Sequence, residues 1–464
     1  MRRIGNPVFR YKGPLTEDEG GGLYVERDED KKVAACVRRG DYVALIGARQ
    51  TGKTSLLYRL RRQLLDEGCI PIQIDLSSFG GAVESRWYKH LRGEMQAQIE
   101  RVLPSISILP MCDHLDFRQA LRGLPRDFPS SSKIVVLLDE VSAAPESFAD
   151  FFFGAIRAVF SSRGVHSEFK RYVFVLAGAF IPDEIVKNKD ISPFNISEHV
   201  HTSDTNQYGI AKLVRNLERL DLDISDEVSE HIFHWTAGHL RLTQRLCAIL
   251  EEQGESQLTT QSVDSAVETM LSDDYNISSV LNRLARSEGE IGRLAHEVLE
   301  GTKVKFSRNN LDVARLELTG LIRADEDGNC VVRNRIYEKA LRAMPGPGIR
   351  VNVESGICWI KGQVVDPPLT GNLWELLTFL WENAGRVCEY EDIIWRVWGV
   401  RNLPYYKPGL QSLVRNLRER IKEYDADNEY IGLAYGKGYM LKYAQDKEPR
   451  QQERADAAAI NLTS

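Results

Sequence analysis

The chain has 464 residues, 43% apolar and 27% charged, an ordinary globular mixture that excludes wholesale disorder. Sixty Lys+Arg against 66 Asp+Glu leave a net charge of −6, so no global cation draws it onto nucleic acid or anionic lipid, and any such binding is local. No apolar run approaches the roughly 18 residues of a membrane span, and the N-terminal MRRIGNPVFRYKG lacks a signal peptide's apolar centre. Seven scattered cysteines without a C-x-x-C read as reduced thiols of a cytoplasmic protein, and ~150 residues per domain gives an expectation of about three domains.

After an N-terminal segment (1–21), residues 40–203 alternate apolar runs with helical spacers. Tyr42-Val43-Ala44-Leu45-Ile46, Pro71-Ile72-Gln73-Ile74-Asp75-Leu76, Ile134-Val135-Val136-Leu137-Leu138 and Tyr172-Val173-Phe174-Val175-Leu176-Ala177 are strands of a parallel sheet covered on both faces. The fold class is α/β.

Between the first strand and the first amphipathic helix stands Gly47-Ala48-Arg49-Gln50-Thr51-Gly52-Lys53-Thr54, which fits G-x-x-x-x-G-K-[ST] in the strand–loop–helix context that pattern requires. Its backbone N–H groups, with the N-terminus of the following helix, would cradle ATP phosphates. Lys53 would reach the β/γ-phosphates, Thr54 would hold Mg²⁺, and Gly47, Arg49, Gln50, Thr51, Gly52 and Ser55 complete the candidate nucleotide contacts. The third strand ends in Asp139-Glu140, at the strand end where ligands of parallel sheets bind. There Asp139 would support the metal and Glu140 the attacking water; the alternative is a pair of acids capping a helix.

From residue 206 the period changes to 3.6, with Ile210, Leu213, Val214 and Leu217 on one stripe, so a helical lid is expected over 206–275. Helices and a D-G hairpin around Asp325-Glu326-Asp327-Gly328 suggest a winged helix over 276–344, with Arg323, Arg333 and Arg335 on a solvated surface. Met344-Pro345-Gly346-Pro347-Gly348 reads as a linker, and 444–464 as a flexible tail.

Residues 22–343 resemble the bacterial AAA-like ATPases grouped with the STAND signalling NTPases and ORC-like AAA+ proteins. The residues that carry this are Tyr24-Val25-Glu26-Arg27, the G-A-R-Q-T-G-K-T loop, V-V-L-L-D-E, Ile191-Ser192-Pro193-Phe194 and Thr236-Ala237-Gly238-His239-Leu240-Arg241. The resemblance implies a P-loop parallel-sheet NTPase core (22–205) under the lid, with Tyr24, Val25, Arg27 and Pro193 near the nucleotide. It also implies that Arg241 senses the γ-phosphate, although Ala237 and Leu240 depart from the usual T-G-G-H-P. An arginine finger would come from Arg157, Arg163 or Arg171, with Arg163 the choice, and would act between copies of a homo-oligomer.

Residues 349–443 resemble the OmpR/PhoB-type winged helix, a second such module, through Leu369-Thr370, Asn383-Ala384-Gly385-Arg386-Val387, Val397-Trp398-Gly399 and the wing Gly436-Lys437-Gly438-Tyr439-Met440-Leu441. By that resemblance the helix from about Pro408 to Tyr424 would enter the major groove of double-stranded DNA, with Lys407, Gln411, Ser412, Arg415, Asn416, Arg418 and Lys437 as contacts. The module holds 12 Lys+Arg and 12 Asp+Glu between residues 350 and 443, no positive footprint, so docking of a protein effector stays open. Its five tryptophans are expected in the core. The reading overall is an ATP-binding, slowly hydrolysing switch that controls a C-terminal winged helix, as a transcription regulator or antiviral defence sensor, without membrane contact.

Overall fold

The computed structural model describes residues 8–16, 22–80, 83–129, 132–220, 222, 224–255, 257–286, 290–343, 349–353, 356–360, 363–426 and 428–442. The expected linker at 344–348 and the tail from 444 lie outside them. The chain forms two compact units: residues 1–280 with 297–339, and 281–296 with 340–464. Of the expected first winged helix, the stretch 281–296 groups with the C-terminal unit and 297–339 with the first.

In the first unit β1 (Tyr42–Ile46), β2 (Ile70–Asp75), β3 (Ile134–Asp139), β4 (Tyr172–Gly178) and β5 (Ser197–His201) form a parallel sheet of order β2-β3-β4-β1-β5. All residues of β1, β3 and β4 are buried, which is why these strands read as unbroken apolar runs. β5 is an edge strand with Glu198 and His199 exposed, a polar sequence that gave no strand signal. It pairs with β1 from Tyr42↔Ser197 to Ile46↔His201, so both strands deliver their ends to the loop at Gly47.

The lid consists of helices Gln207–Val214, Asp226–Thr236, Leu240–Gln253 and Thr260–Asp273. Helix Leu311–Thr319 and the hairpin Ile322–Ala324/Cys330–Val332 pack in the same unit, with Leu318 against the sheet core and Arg315 bonded to Glu184 at 2.8 Å. A further pairing, Lys305 with Asn329, adds an edge to the wing that no sequence run announces.

The second unit carries an antiparallel sheet of Ile349–Asn352, Ile357–Ile360 and Gln363–Val364. Helices Gly371–Glu382, Tyr390–Trp398 and Leu403–Lys422 follow, with a wing of Ile431–Ala434 and Gly438–Leu441. The core is aliphatic: Leu376, Leu377, Leu380, Ile393, Ile394, Leu410 and Leu417. The tryptophans are not its centre. Trp374, Trp381 and Trp398 flank it and Trp395 is 55% exposed, because the leucines and isoleucines of three helices already fill the space.

Candidate functional site

β1 ends at Ile46 and the helix Lys53–Asp66 begins six residues beyond Gly47, so the intervening loop turns tightly at the sheet's carboxyl edge. Gly52 at φ 81 makes the last bend, and Gln50 takes φ 64 at the tip. Lys53 is 4% exposed, and its Nζ donates to Gly47 O at 2.9 Å and Ala48 O at 2.7 Å, inside the loop it closes. Burial pulls its pKa down to about 8, against the fields of Glu140 and Asp139. A lysine held by its own loop's carbonyls has an ammonium that an anion in the cradle can claim.

The Thr54 hydroxyl donates to Asp139 Oδ2 at 2.6 Å, joining the loop helix to the end of β3. Burial pushes the Asp139 carboxyl up, opposed by the bonds from Thr54 and from Glu140 N. One hydroxyl and one carboxylate side by side suit Mg²⁺, which takes few protein oxygens and keeps water and phosphate as its other ligands. Glu140 sits at φ 49, a left-handed conformation that costs a residue with a β-carbon about 1–2 kcal/mol. Its carboxylate has no hydrogen-bonding partner among the described residues.

Several expected contacts stand elsewhere. Pro193 precedes β5, beside Tyr42, so the five residues of β5 separate it from the loop, about 16 Å at 3.3 Å per residue. Its assignment to the nucleotide is corrected. Arg163 is corrected too: it donates to Gly40 O at 3.2 Å and Tyr172 O at 2.6 Å and covers the rings of Phe160 and Tyr42, where β1 and β4 begin. Arg157 and Arg171 are likewise bound to carbonyls, those of Ser192 and Ser132. Arg241 gives both terminal nitrogens to Asp274 at 2.9 and 2.7 Å, so in this structure its guanidinium is taken up by that ion pair.

The Y-V-E-R segment does lie at the loop, in a bracing role. Arg27 is buried and donates to Thr51 O at 2.8 Å and Ser203 O at 2.9 Å. Tyr24 bonds Asp30 and lies under the Arg59 guanidinium, 4.8 Å from the ring centroid. Val25 reaches the lid at Gly209, where a β-carbon would stand 2.9 Å from it. Leu240 of the lid approaches Gly52, and the Ser55 hydroxyl accepts from Leu15 N at 2.9 Å, anchoring the N-terminal segment. Arg49 is exposed at the loop's rim.

Sequence reasoning missed a buried ionic cluster beside the loop. Arg333, expected in solvent, donates from Nε and Nη2 to the two oxygens of Asp204, each at 2.7 Å, and is 6% exposed. Against the pull of burial, that guanidinium holds the Asp204 carboxyl below its usual value. Burial, then Arg333, brings His239 down to about 3. A cavity of about 920 Å³ lies here, lined by Gly47, Ala48, Thr51, Asp204, Arg333 and Asn334 among others. The only signal in the sequence was the close spacing of Arg333 to the hairpin, which does not reveal burial.

In the second unit Gln411, Ser412, Arg415 and Asn416 are exposed on one face of Leu403–Lys422, and Lys437 is exposed on the wing. Arg418 is corrected: it donates to Ile431 O at 3.1 and 2.5 Å and lies 3.4 Å from Glu429, fastening the helix to the wing. Lys407 sits over the Tyr390 ring, 4.7 Å from its centroid. The helix begins at Leu403, five residues before the expected start, because Asn402 caps it and Pro404 occupies the first turn, where its missing N–H costs nothing.

Residues 365–441 match the family model described as transcriptional regulatory protein, C terminal. Over 97 residues the chain is 33% identical to the sensory transduction protein RegX3 of Mycolicibacterium smegmatis, covering 21% of this chain and 41% of that protein. Over 351 residues it is 24% identical to a WD repeat-containing protein of Synechocystis sp., covering 69% of this chain. The chain spans only 29% of that protein's length. A Walker-type ATPase of Pyrococcus abyssi superposes with a TM-score of 0.52 at 14% identity, over 72% of this chain and 99% of that one. The first unit thus has the fold of a P-loop ATPase, and the second carries a winged helix of the response-regulator type. No helix among the described residues is long and apolar enough to cross a membrane.

Proposed function

We propose that the chain is a nucleotide-controlled switch: a P-loop ATPase unit whose ATP- or ADP-bound state governs a C-terminal winged helix that binds double-stranded DNA. The observation that supports this most is the pairing of a self-occupied Lys53 with the Thr54–Asp139 bond at 2.6 Å, two halves of one phosphate and cation site. Lys53 would leave the Gly47 and Ala48 carbonyls for the phosphates, while Thr54 and Asp139 would hold Mg²⁺. When bound, the cation neutralises phosphate charge. Glu140, unbonded and at the end of β3, would orient water for slow hydrolysis. With Arg163 and Arg241 engaged elsewhere, exposed Arg49 at the loop's rim is a cation with room to move toward phosphate, as is exposed Arg335 in the lining of the cavity beside the loop.

The experiment is calorimetric titration of ATP–Mg²⁺ into the intact chain. Lys53→Ala should abolish binding, whereas Glu140→Gln should keep it and lose hydrolysis. Equal affinity in Lys53→Ala would defeat the assignment.

A second reading, a winged helix that docks a protein effector as in a defence system, is favoured by the equal counts of acids and bases and by exposed Trp395, Tyr405 and Leu433. A gel shift with genomic fragments, set beside a nuclease-treated pull-down, separates the two.

A further inference from the structure

The tip of the phosphate loop touches one helix in particular. Gln50, left-handed at φ 64, donates from Nε2 to Asn276 Oδ1 at 2.5 Å. Asn276 lies in the first turn of helix Tyr275–Arg286, whose cap is Asp274: its Oδ1 accepts from Asn276 N at 2.9 Å and Ile277 N at 3.2 Å. The same carboxylate, 4% exposed, takes both bonds from Arg241 and lies 3.8 Å from Arg245 Nε. Arg245 in turn covers the Tyr11 ring at 4.5 Å. Loop tip, lid and N-terminal segment therefore converge on one helical turn. That helix does not end in the unit where it begins, since residues from 281 onward belong to the unit that carries the C-terminal winged helix.

The geometry points to helix Tyr275–Arg286 as the element that reports loop occupancy to the C-terminal unit, with Gln50–Asn276 as the contact that senses it. This rests on the nucleotide-binding reading and adds a direction to it: loading releases the helix. Two bonds inside the loop, Lys53 Nζ to Ala48 O at 2.7 Å and Thr51 Oγ1 to Ala48 O at 2.8 Å, hold the tip in its present shape. Lys53 must leave Ala48 to meet a phosphate, and the tip then loses one of the two cross-links that hold its shape, leaving the Thr51 bond alone. A strained residue so freed relaxes, and Asn276 loses its partner. The first turn is left with Asp274 alone, and the change passes along a continuous hydrogen-bonded helix rather than through space.

The test is hydrogen exchange of amides 277–286 in the intact chain, with and without a non-hydrolysable ATP analogue and Mg²⁺, with analogue affinity measured on the same samples. In the unsubstituted chain the analogue should speed exchange by about threefold to tenfold, the scale of one net hydrogen bond. Asn276→Ala should exchange fast in both conditions and, because loading no longer has to break the Gln50 contact, bind the analogue about threefold to tenfold more tightly. Asn276→Asp, which keeps an acceptor for Gln50, should restore the difference. Exchange unchanged by a bound analogue, or a full nucleotide response in Asn276→Ala, would overturn the relay. An unsubstituted chain that fails to bind the analogue at all would overturn the nucleotide reading itself, and the relay with it.

Discussion

Asp204, Arg333 and His239 are three ionisable side chains buried together against the loop, and their fates are coupled. Removing an ion from water costs several kcal/mol, so the Asp204–Arg333 pair holds only because two bonds of 2.7 Å satisfy both partners. A third charge has no place there. His239 is 1% exposed and is held neutral, by burial first and the Arg333 guanidinium second, with a pKa of about 3. The unfolded histidine titrates near 6.5, so between about 6.5 and 3 the unfolded chain binds the extra proton. Stability is therefore complete above pH 6.5 and falls on acidification, by up to about 1.4 kcal/mol per pH unit from this group. Asp204, whose pKa is depressed, adds a loss of the same sign at more acid pH. Calorimetric melting at pH 7, 6 and 5 should show the decline, and His239→Asn, which keeps a capping acceptor, should flatten it. A variant with the parent's pH slope would refute the assignment.

At the scale of elements, the junction between sheet and lid is fixed by backbone rather than by side chains. Ala237 and Gly238 are both left-handed, at φ 46 and 87, and Gly238 O accepts from Thr205 N at 3.1 Å. A β-carbon on Gly238 would stand 1.9 Å from Thr205 O, a contact no rotamer relieves. Gly40 is left-handed too, at φ 93, but faces open space. Gly238→Ala should then cost clearly more than the roughly 1 kcal/mol of backbone preference expected for Gly40→Ala, read as a larger drop in melting temperature. Equal drops would mean the lid junction yields easily. What could be read from sequence divides along similar lines. β1, β3 and β4 were legible because strands buried on both faces admit only apolar residues. The loop Gly47–Thr54 was legible because a tight anion cradle dictates its glycines and its lysine. The edge strand β5 and the Lys305–Asn329 pairing were not, since an exposed edge imposes no pattern. Pro193, read from a motif, and Arg163, read from its place between the third and fourth strands, failed for a different reason: neither reading says which groups the folded chain sets around the side chain. Arg333 and Asp204 are 129 residues apart, and only folding makes them neighbours.

For the molecule as a whole, the net charge of −6 belongs to residues outside 350–443, where acids and bases cancel at 12 each. Cancellation by count is not cancellation by place. Arg396 is bound to Glu375, Arg420 to Glu423, and Arg418 to the wing, while Glu391 and Asp392 lie on the exposed face of Tyr390–Trp398. Arg386, Arg401, Arg415, Lys422 and Lys437 remain exposed, with Lys407 half-buried over Tyr390, and four of these, Lys407, Arg415, Lys422 and Lys437, stand on the helix Leu403–Lys422 and the wing that would face DNA. Charges of the remaining chain act on DNA only within the Debye length, about 8 Å at physiological salt. Four phosphate contacts predict that log affinity falls with log salt at a slope of about −3.6, a loss of about a hundredfold between 50 and 200 mM. Gel shifts across that range measure it directly. Arg415→Ala should make the slope shallower by about 0.9, whereas Arg418→Ala should leave the slope and lower the melting temperature, because its guanidinium is spent on Ile431 O. A slope near −7 would count two copies of the winged helix on one site, the mark of a homo-oligomer on DNA, and no salt dependence would leave the protein-docking reading standing alone.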